Sequence, residues 1–347
     1  MTLVAGVSVG GLPAFVGDLL ISRQLAAPVD LPTLAEPRIA PGLDNHFASS
    51  LSQKLVIVRS YFLLAWAGSK ANADRIIRGL DQVLPERSGE LHDGRIVLDL
   101  LNSCEEDSEL LAVVIHGGKV QPVGARTCGF ELNGKRIYLL GSGRTDFLDY
   151  LEEHPALLHG QEGADGLLAR AIVLRFGARA MTLQSVLGTG LEQSWGGGFE
   201  VAYPEPNGFR KCDKLLFRAW KIEADGSYAN SGRSFFTRYY GRDLHLSRFN
   251  PEEKTFVVGS PLGTPVTPPR YERCAPSCTV DFFLHGPSGS FVEAARFHPD
   301  NRPVKDFVEM VDGQLAGWAM DREYVDGLVH EAVAQVERGT SFVFRRY

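Results

Sequence analysis

The residue with the clearest chemical potential stands near the amino terminus, where Thr2 follows Met1. An initiator methionine is normally removed when the next residue is small, and removal would leave Thr2 with a free α-amine beside its own hydroxyl. Because an α-amine has a pKa of about 7.7 to 8.0, a useful fraction is unprotonated at neutral pH and can accept the hydroxyl proton. Thr2 could then act as both nucleophile and base in acyl transfer. Threonine is common at this position, so the alternative is an ordinary chain start.

Other groups of reactive residues form weaker patterns. Cys274, Cys278 and His285 provide three candidate metal ligands, whereas a structural zinc site needs four. The glycine-rich segments 188–190 and 196–198 lack the lysine and the strand–turn–helix setting of a nucleotide-binding loop. We therefore expect neither a metal nor a cofactor.

The segments around Thr2 have the patterns of elements that could hold such a site. Two β-prone runs, 2–9 and 12–16, flank Gly10-Gly11, which supplies the positive φ angles of a tight hairpin turn. Further strands are predicted at 54–58, 61–67, 110–116, 136–140, 199–203 and 214–222, and helices at 70–84, 95–104, 145–151 and 164–187. This order of strands and helices predicts sheets with segregated helices, an α+β body.

Two regions depart from this pattern. Residues 24–53 contain four prolines without a sustained period, which predicts a long, partly extended insertion. From about residue 225, turn pairs separate short β-prone runs, with a helix at 324–338 and a strand at 341–344. We predict a body at 1–215 that carries the 24–53 insertion, and a β-rich carboxy-terminal extension at 216–347 packed on it.

Composition excludes several classes of function. The 347 residues contain 36 Lys and Arg against 42 Asp and Glu, a net charge of −6, so nothing points to nucleic acid or an anionic membrane. No apolar run approaches the roughly 20 residues of a membrane helix, and the first 20 residues lack the basic start of a secretory signal. Five irregularly spaced cysteines fit a reducing compartment. We expect a cytoplasmic protein.

Short motifs follow one another in a familiar order over residues 2–203. Thr2 opens the first hairpin and Asp18 follows sixteen residues later. Lys54 opens a strand, Gly68 comes fourteen residues after it, and a Gly-Ser-Gly turn surrounds Ser142. This ordered set resembles the proteasome β-subunits and the related bacterial heat-shock-locus peptidase, which are N-terminal-nucleophile (Ntn) hydrolases.

The resemblance implies a role for each of these residues. Thr2 would be the nucleophile, and the Lys54 ammonium beside it would favour the alkoxide and lower the pKa of the α-amine. Asp18 would pair with Lys54 and keep it charged. The backbone N–H of Gly68 would stabilise the oxyanion, a contact typically worth about 3 kcal/mol. Ser142 would hydrogen-bond the Thr2 amine.

The strand that leads to Gly68 also offers a place for the substrate. Trp66 lies two residues before Gly68, on the same strand face by period-two alternation, and would form the floor of the side-chain pocket. A ring of this size would favour small substrate residues or close the pocket. We also assign Ser69 and Ser22 to substrate binding.

The chain departs from the family pattern in two places. The step from Asp18 to Lys54 is about twenty residues too long, so the insertion could line or block the substrate entrance. Where the family has Asp-x-x-Ser-Gly-Gly, Glu192 and Ser194 are the available substitutes. Taken singly, Asp18 could equally be a turn residue, Lys54 an exposed strand edge, and Ser142 part of a plain strand-to-helix turn.

Together these observations predict a four-layer αββα sandwich with a β-rich carboxy-terminal extension. We predict an N-terminal threonine hydrolase that cleaves peptide or amide bonds through an acyl-Thr2 intermediate after removal of Met1. The alternatives are a non-catalytic scaffold or assembly subunit of the same fold, and a small-molecule amide hydrolase. The resemblance further implies a ring or stacked homo-oligomer and a possible unfoldase partner.

Overall fold

The computed structural model describes residues 2–90, 94–123, 128–158, 166–187, 191, 195–223, 225–230, 234–249, 253–285, 290–298, 306–320, 322–338 and 342–346. They form a mixed α/β protein with several sheets and five helices. None of the helices in these ranges is long and apolar enough to cross a membrane.

The first part of the chain, up to residue 211, alternates short groups of strands with helices. It contains β1 (Leu3–Val9), β2 (Leu12–Asp18), β3 (Leu20–Arg23), β4 (Phe47–Leu51), β5 (Leu55–Arg59), β6 (Phe62–Ala67), α1 (Lys70–Val83), α2 (Arg95–Asn102), β7 (Glu109–His116), β8 (Lys119–Val123), β9 (Cys128–Leu132), β10 (Lys135–Gly141), α3 (Arg144–Glu153), α4 (Leu167–Leu187), β11 (Phe199–Glu205) and β12 (Gly208–Lys211). The strands and helices predicted for this part are confirmed, whereas β3, β4, β8, β9 and β12 were not predicted.

The second part is dominated by strands. It contains β13 (Leu215–Ile222), β14 (Tyr228–Asn230), β15 (Ser234–Tyr240), β16 (Asp243–Phe249), β17 (Lys254–Val258), β18 (Tyr271–Cys274), β19 (Cys278–His285), β20 (Ser290–Phe297), β21 (Phe307–Val311), β22 (Gln314–Ala319), α5 (Arg322–Glu337) and β23 (Phe342–Arg346). The predicted closing helix and last strand are confirmed.

Two sheets make up most of the first part. One has six strands in the order β12-β11-β2-β1-β10-β9, and the other has four in the order β5-β6-β7-β8. The β1–β2 hairpin turns at Gly10 and Gly11 with φ angles of 60° and 80°, as the Gly-Gly pair predicts. β1 is therefore a central strand, paired with β2 on one side and β10 on the other.

Successive side chains of β1 are buried on opposite faces of the six-stranded sheet. Leu3, Ala5 and Val7 face α3 and α4, while Val4 packs against the four-stranded sheet in a cluster that includes Ala65. On its other face the four-stranded sheet packs against α1 and α2. The start of β1 thus lies between two layers of packed side chains.

The second part packs on α4. Its main sheet runs β17-β16-β15-β13-β19-β20-β23, with β14 beside β13. Leu246, Val280 and Ala295 from this sheet share one buried cluster with α4 and the six-stranded sheet. α5 packs against Trp220 and Phe283 from the same sheet.

The 24–53 insertion is more ordered than the sequence predicts. β4 pairs with β3, and Leu31, Leu34 and Ala40 are buried in a cluster of their own. Arg248 also donates a hydrogen bond to the Leu34 carbonyl. The buried apolar residues are separated by prolines and therefore have no helical or strand period, which is why the pattern predicts a loop.

Phe176 of α4 is the centre of an aromatic cluster and provides a test of this packing. Its ring centroid lies 5.0 Å from that of Phe147, 6.1 Å from that of Trp195 and 6.3 Å from that of Phe199. We expect Phe176→Ala to lower the free energy of unfolding in urea by about 3–5 kcal/mol, because it leaves a cavity. Phe130→Ala, at a side chain that is 36% exposed, is the control and should cost less than about 1 kcal/mol. Equal losses would contradict this arrangement.

Candidate active site

The sequence-predicted catalytic residues meet at one end of the two packed sheets. β1 begins next to Thr2, and β2 ends at Asp18. Lys54 directly precedes β5, Gly68 directly follows β6, and Ser142 directly follows β10. Neighbouring strands are antiparallel, so the start of one lies beside the end of the next. Contacts between the sheets bring the two sets of strand ends together.

Thr2 is held by the end of β10 and is 1% exposed. Its carbonyl accepts a hydrogen bond from the Gly143 N–H at 3.3 Å. Gly141 has a φ of +82°, and a Cβ there would lie 2.0 Å from the Thr2 carbonyl oxygen and 3.3 Å from Cβ of Ala67. Only glycine fits where the ends of β10 and β6 close on Thr2.

Asp18 is a fully buried carboxylate that organises the surrounding backbone. It accepts hydrogen bonds from the N–H groups of Leu3 at 2.9 Å, Leu20 at 3.2 Å and Gly196 at 2.9 Å. Burial raises the pKa of this carboxyl to about 6, although Lys54 and two of these N–H groups act in the opposite direction. Asp18 therefore fixes the start of β1 and carries a charge that burial makes costly.

Lys54 is the second buried charge. Burial lowers the pKa of its ammonium to about 8, against the attraction of Asp18 and Glu200, and Lys70 adds to the lowering. Its Nζ has no hydrogen-bond partner among the described residues. The sequence predicts a pairing with Asp18. In the described regions the Asp18 oxygens accept hydrogen bonds from backbone N–H groups, and Asp18 acts on Lys54 through its charge, without a hydrogen bond between the two side chains.

Gly68 and Ser142 occupy the two remaining strand ends. Gly68 has a φ of +95°, and a Cβ there would lie 2.0 Å from the Asp107 carbonyl oxygen, so this position requires glycine. The hydroxyl of Ser142 is buried without a hydrogen-bond partner in the part of the chain that the structure describes. Among the described residues, two buried polar atoms at this end of the sheets, Lys54 Nζ and Ser142 Oγ, thus lack a hydrogen-bond partner. Most buried polar atoms in proteins have one.

The three residues assigned to substrate binding lie in different settings. Trp66 is 1% exposed, its indole N–H donates to the Gln53 carbonyl at 3.0 Å, and the Lys54 Nζ lies 4.1 Å from its ring centroid. The ring thus packs beneath Lys54 in the core beside α1. Ser69 caps α1 by accepting the Asn72 N–H at 3.4 Å. Ser22 is half-buried in β3, opposite Ala48.

Three residues that sequence reasoning missed support this end of the sheets. Glu200 accepts the backbone N–H of Lys54 at 2.5 Å. Gly17 leaves room for Lys54, since a Cβ on Gly17 would lie 3.1 Å from the Lys54 Cβ. Glu109 accepts the Gly141 N–H at 2.8 Å. The sequence marks Glu200 in one way only, as the charged residue within the otherwise apolar strand 199–203.

Two cavities lie elsewhere in the described regions. One of about 240 Å³ lies between α3 and α4, and one of about 380 Å³ is lined by Gln53, Lys211 and Tyr239 among others. Thr2 lines neither of them. Within the same regions, no group of three or more His, Cys, Asp or Glu side chains could hold a metal ion. Glu192 and Ser194 lie outside the described residues.

No protein-family model matches the chain, and no curated protein matches it. Among solved structures, it is similar to the crystal structure of eukaryotic HslV from Trypanosoma brucei, with 18% identity and a TM-score of 0.35. The match covers 58% of this chain and 98% of that one. These values are too low to establish a shared family or activity.

The raised pKa of Asp18 predicts a specific pH dependence of stability. Because the folded-state pKa of about 6 lies above the ordinary value of 3.8, the folded protein binds more protons than the unfolded chain between these values. The contribution of Asp18 to stability is present below pH 3.8 and is lost as pH rises through about 6. We expect the unfolding free energy of the wild type, minus that of Asp18→Asn, to fall by about 3 kcal/mol over this window. Denaturant titrations at a series of pH values measure this difference in unfolding free energy. A difference that rises with pH would contradict the raised pKa of Asp18.

The close approach at Gly141 predicts a second effect. Gly141→Ala should displace Thr2, because its Cβ would overlap a backbone carbonyl. Gly134→Ala is the matched control, since Gly134 has a similar φ of +72° but nothing within 4 Å of the added Cβ. We expect Gly141→Ala to lower the free energy of unfolding by about 1–3 kcal/mol more than the control. Similar losses in urea titrations would show that the end of β10 does not close on Thr2.

Proposed function

We propose that the chain is an N-terminal threonine hydrolase that cleaves peptide or amide bonds through an acyl-Thr2 intermediate. The observation that carries the proposal is the buried Lys54 ammonium, which lacks a hydrogen-bond partner in the described regions and is stabilised by the charge of the buried Asp18 at the strand ends beside Thr2. Perturbed ionisable groups of this kind are typical of functional sites. A purely structural role would favour replacing both charges by apolar side chains.

The chemistry follows from the groups at this end of the sheets. After removal of Met1, the Thr2 α-amine takes the hydroxyl proton and the oxygen attacks the carbonyl carbon of the substrate. The Gly68 N–H stabilises the oxyanion of the tetrahedral intermediate. As the C–N bond breaks, the leaving amine takes the proton from the α-amine, and an ester remains on Thr2. Water then hydrolyses the ester along the same path, with the Lys54 charge stabilising the negative oxygen in both steps.

We also propose an architecture for this catalytic unit. The contacts of α1 and α2 with the four-stranded sheet, of that sheet with the six-stranded sheet, and of the latter with α3 and α4 support the four-layer αββα sandwich. We assign the sandwich to residues 1–215 and treat 216–347 as the extension. A ring or stacked homo-oligomer and an unfoldase partner are proposals on the resemblance alone, and a cytoplasmic location is a proposal on the composition of the chain.

Two other functions stay open. The burial of Thr2, which is 1% exposed, favours a non-catalytic scaffold of the same fold. A small-molecule amide hydrolase has the same site chemistry but would turn over acyl amides in preference to peptides.

Covalent labelling tests the nucleophile directly. We expect a β-lactone probe to add its acyl mass to Thr2 and Thr2→Ser to retain labelling, because serine keeps both hydroxyl and α-amine. Thr2→Ala should reduce labelling by at least about 100-fold, since the nucleophile is lost. Mass spectrometry of the digested protein gives the labelled residue. Thr182→Ala, in α4, is the control and should label like the wild type.

Three outcomes would decide between the candidates. Labelling that persists in Thr2→Ala would overturn the nucleophile. A folded wild type that is never labelled and turns over neither peptides nor acyl amides would favour the scaffold. Turnover of small acyl amides but not peptides would favour the amide hydrolase.

A further inference from the structure

Glu200 of β11 is a buried carboxylate directed at the backbone on either side of Lys54. Its residue is 2% exposed, and it sits opposite Gly17 across the β11–β2 pair. One oxygen accepts the N–H of Lys54 at 2.5 Å and the N–H of Leu55 at 2.7 Å. Hydrogen bonds that a carboxylate accepts from backbone N–H groups are charge-assisted and are among the stronger ones in proteins. Glu200 thus fixes the backbone from which the Lys54 side chain projects.

The other oxygen of Glu200 forms an ion pair with Lys211 of β12. The same Lys211 ammonium donates a hydrogen bond to the Leu55 carbonyl. β5 is an edge strand of the four-stranded sheet, so no strand among the described residues pairs with Leu55 on that side. Glu200 thus accepts the backbone N–H of Leu55 and Lys211 donates to its carbonyl, so the pair makes the hydrogen bonds that a neighbouring strand would make. A buried ion pair from one sheet therefore closes the edge of the other.

The second part of the chain reaches the same place. The Tyr239 hydroxyl of β15 lies 3.4 Å from the Glu200 carboxylate. The Gln53 side-chain amide donates to the carbonyls of Arg242 at 2.8 Å and Val258 at 3.0 Å. Because Gln53 directly precedes Lys54, the segment that enters β5 is anchored to the carboxy-terminal sheet.

We propose that Glu200 is a positioning residue that fixes the backbone at the start of β5 from which Lys54 projects, with the carboxy-terminal sheet holding Gln53 and contacting Glu200 through Tyr239. This inference rests on the proposed function only for the step in which Lys54 acts on Thr2. It gives the second part of the chain a role at the catalytic centre.

The charges around Lys54 define what Glu200 contributes. Asp18 at the end of β2 and Glu200 in β11 favour the ammonium, and the Trp66 ring of β6 faces it at 4.1 Å. Lys70 at the start of α1 acts against the ammonium, as does burial, which is the largest influence on its pKa. Removing the charge of Glu200 takes away one of the two carboxylates that favour the ammonium, and it also removes the ion-pair partner of the Lys211 ammonium beside Leu55.

Glu200→Gln tests this role, because glutamine keeps the shape and one acceptor oxygen but removes the charge. We expect the titration midpoint of Lys54, followed by NMR of lysine labelled at Cε, to fall by about one pH unit. Lys54→Met assigns the resonance. The matched control is Glu205→Gln, at a partly exposed residue of the same strand that pairs with Arg210, and it should leave the midpoint unchanged. All variants also carry Thr2→Ala, so the readout does not depend on activity.

The outcomes separate this inference from the proposed function. An unchanged midpoint in folded Glu200→Gln would overturn the role of Glu200. A shifted midpoint in a protein whose parent is never labelled at Thr2 would retain that role and reject the hydrolase. If Glu200→Gln does not fold, the wild type still decides: the Lys54 and Leu55 amide protons should lie far downfield and exchange slowly. Rapid exchange would show that Glu200 does not hold these two N–H groups and would overturn its positioning role.

Discussion

Two charges are buried at one end of a pair of packed sheets, and most of the unusual features of that end accommodate them. The Asp18 carboxylate and the Lys54 ammonium are both fully buried, and burial acts against the charged form of each. A desolvated charge is tolerated only where dipoles or opposite charges compensate it. Three backbone N–H groups compensate Asp18, whereas an aromatic ring, Glu200 and the field of Asp18 compensate Lys54.

These compensating groups come from distant parts of the chain. Gly196, which binds Asp18, lies between α4 and β11, and Glu200 follows a few residues later. Gly17 has no Cβ, which allows the Lys54 side chain to pack against it. Gly68 and Gly141 likewise allow the backbone carbonyls of Asp107 and Thr2 to approach closely. The carboxy-terminal sheet contributes through Tyr239 and through the carbonyls that hold Gln53. The site therefore depends on the packing of both parts of the chain.

Much of the fold could be predicted from the sequence, because its signals are local. The Gly10-Gly11 hairpin and the apolar spacing of α1 are encoded within a few residues each. The edge strands β8, β9 and β12 lacked such a signal, and β4 lies in a proline-containing insertion. The site residues follow from a family resemblance, but their environment does not. Glu200 contacts Lys54 across 146 residues of sequence, and Trp66 packs under Lys54 in the core beside α1, so no local pattern gives either arrangement.

If Thr2 becomes an amino-terminal nucleophile, the intact mass of the purified protein must be that of a chain that begins at Thr2. Amino-terminal sequencing should then show a free α-amine on Thr2. A folded protein in which Met1, or any other residue, remains attached to Thr2 would have no free amine to accept the hydroxyl proton. That result would contradict the hydrolase and leave the buried Asp18 and Lys54 charges without a catalytic role.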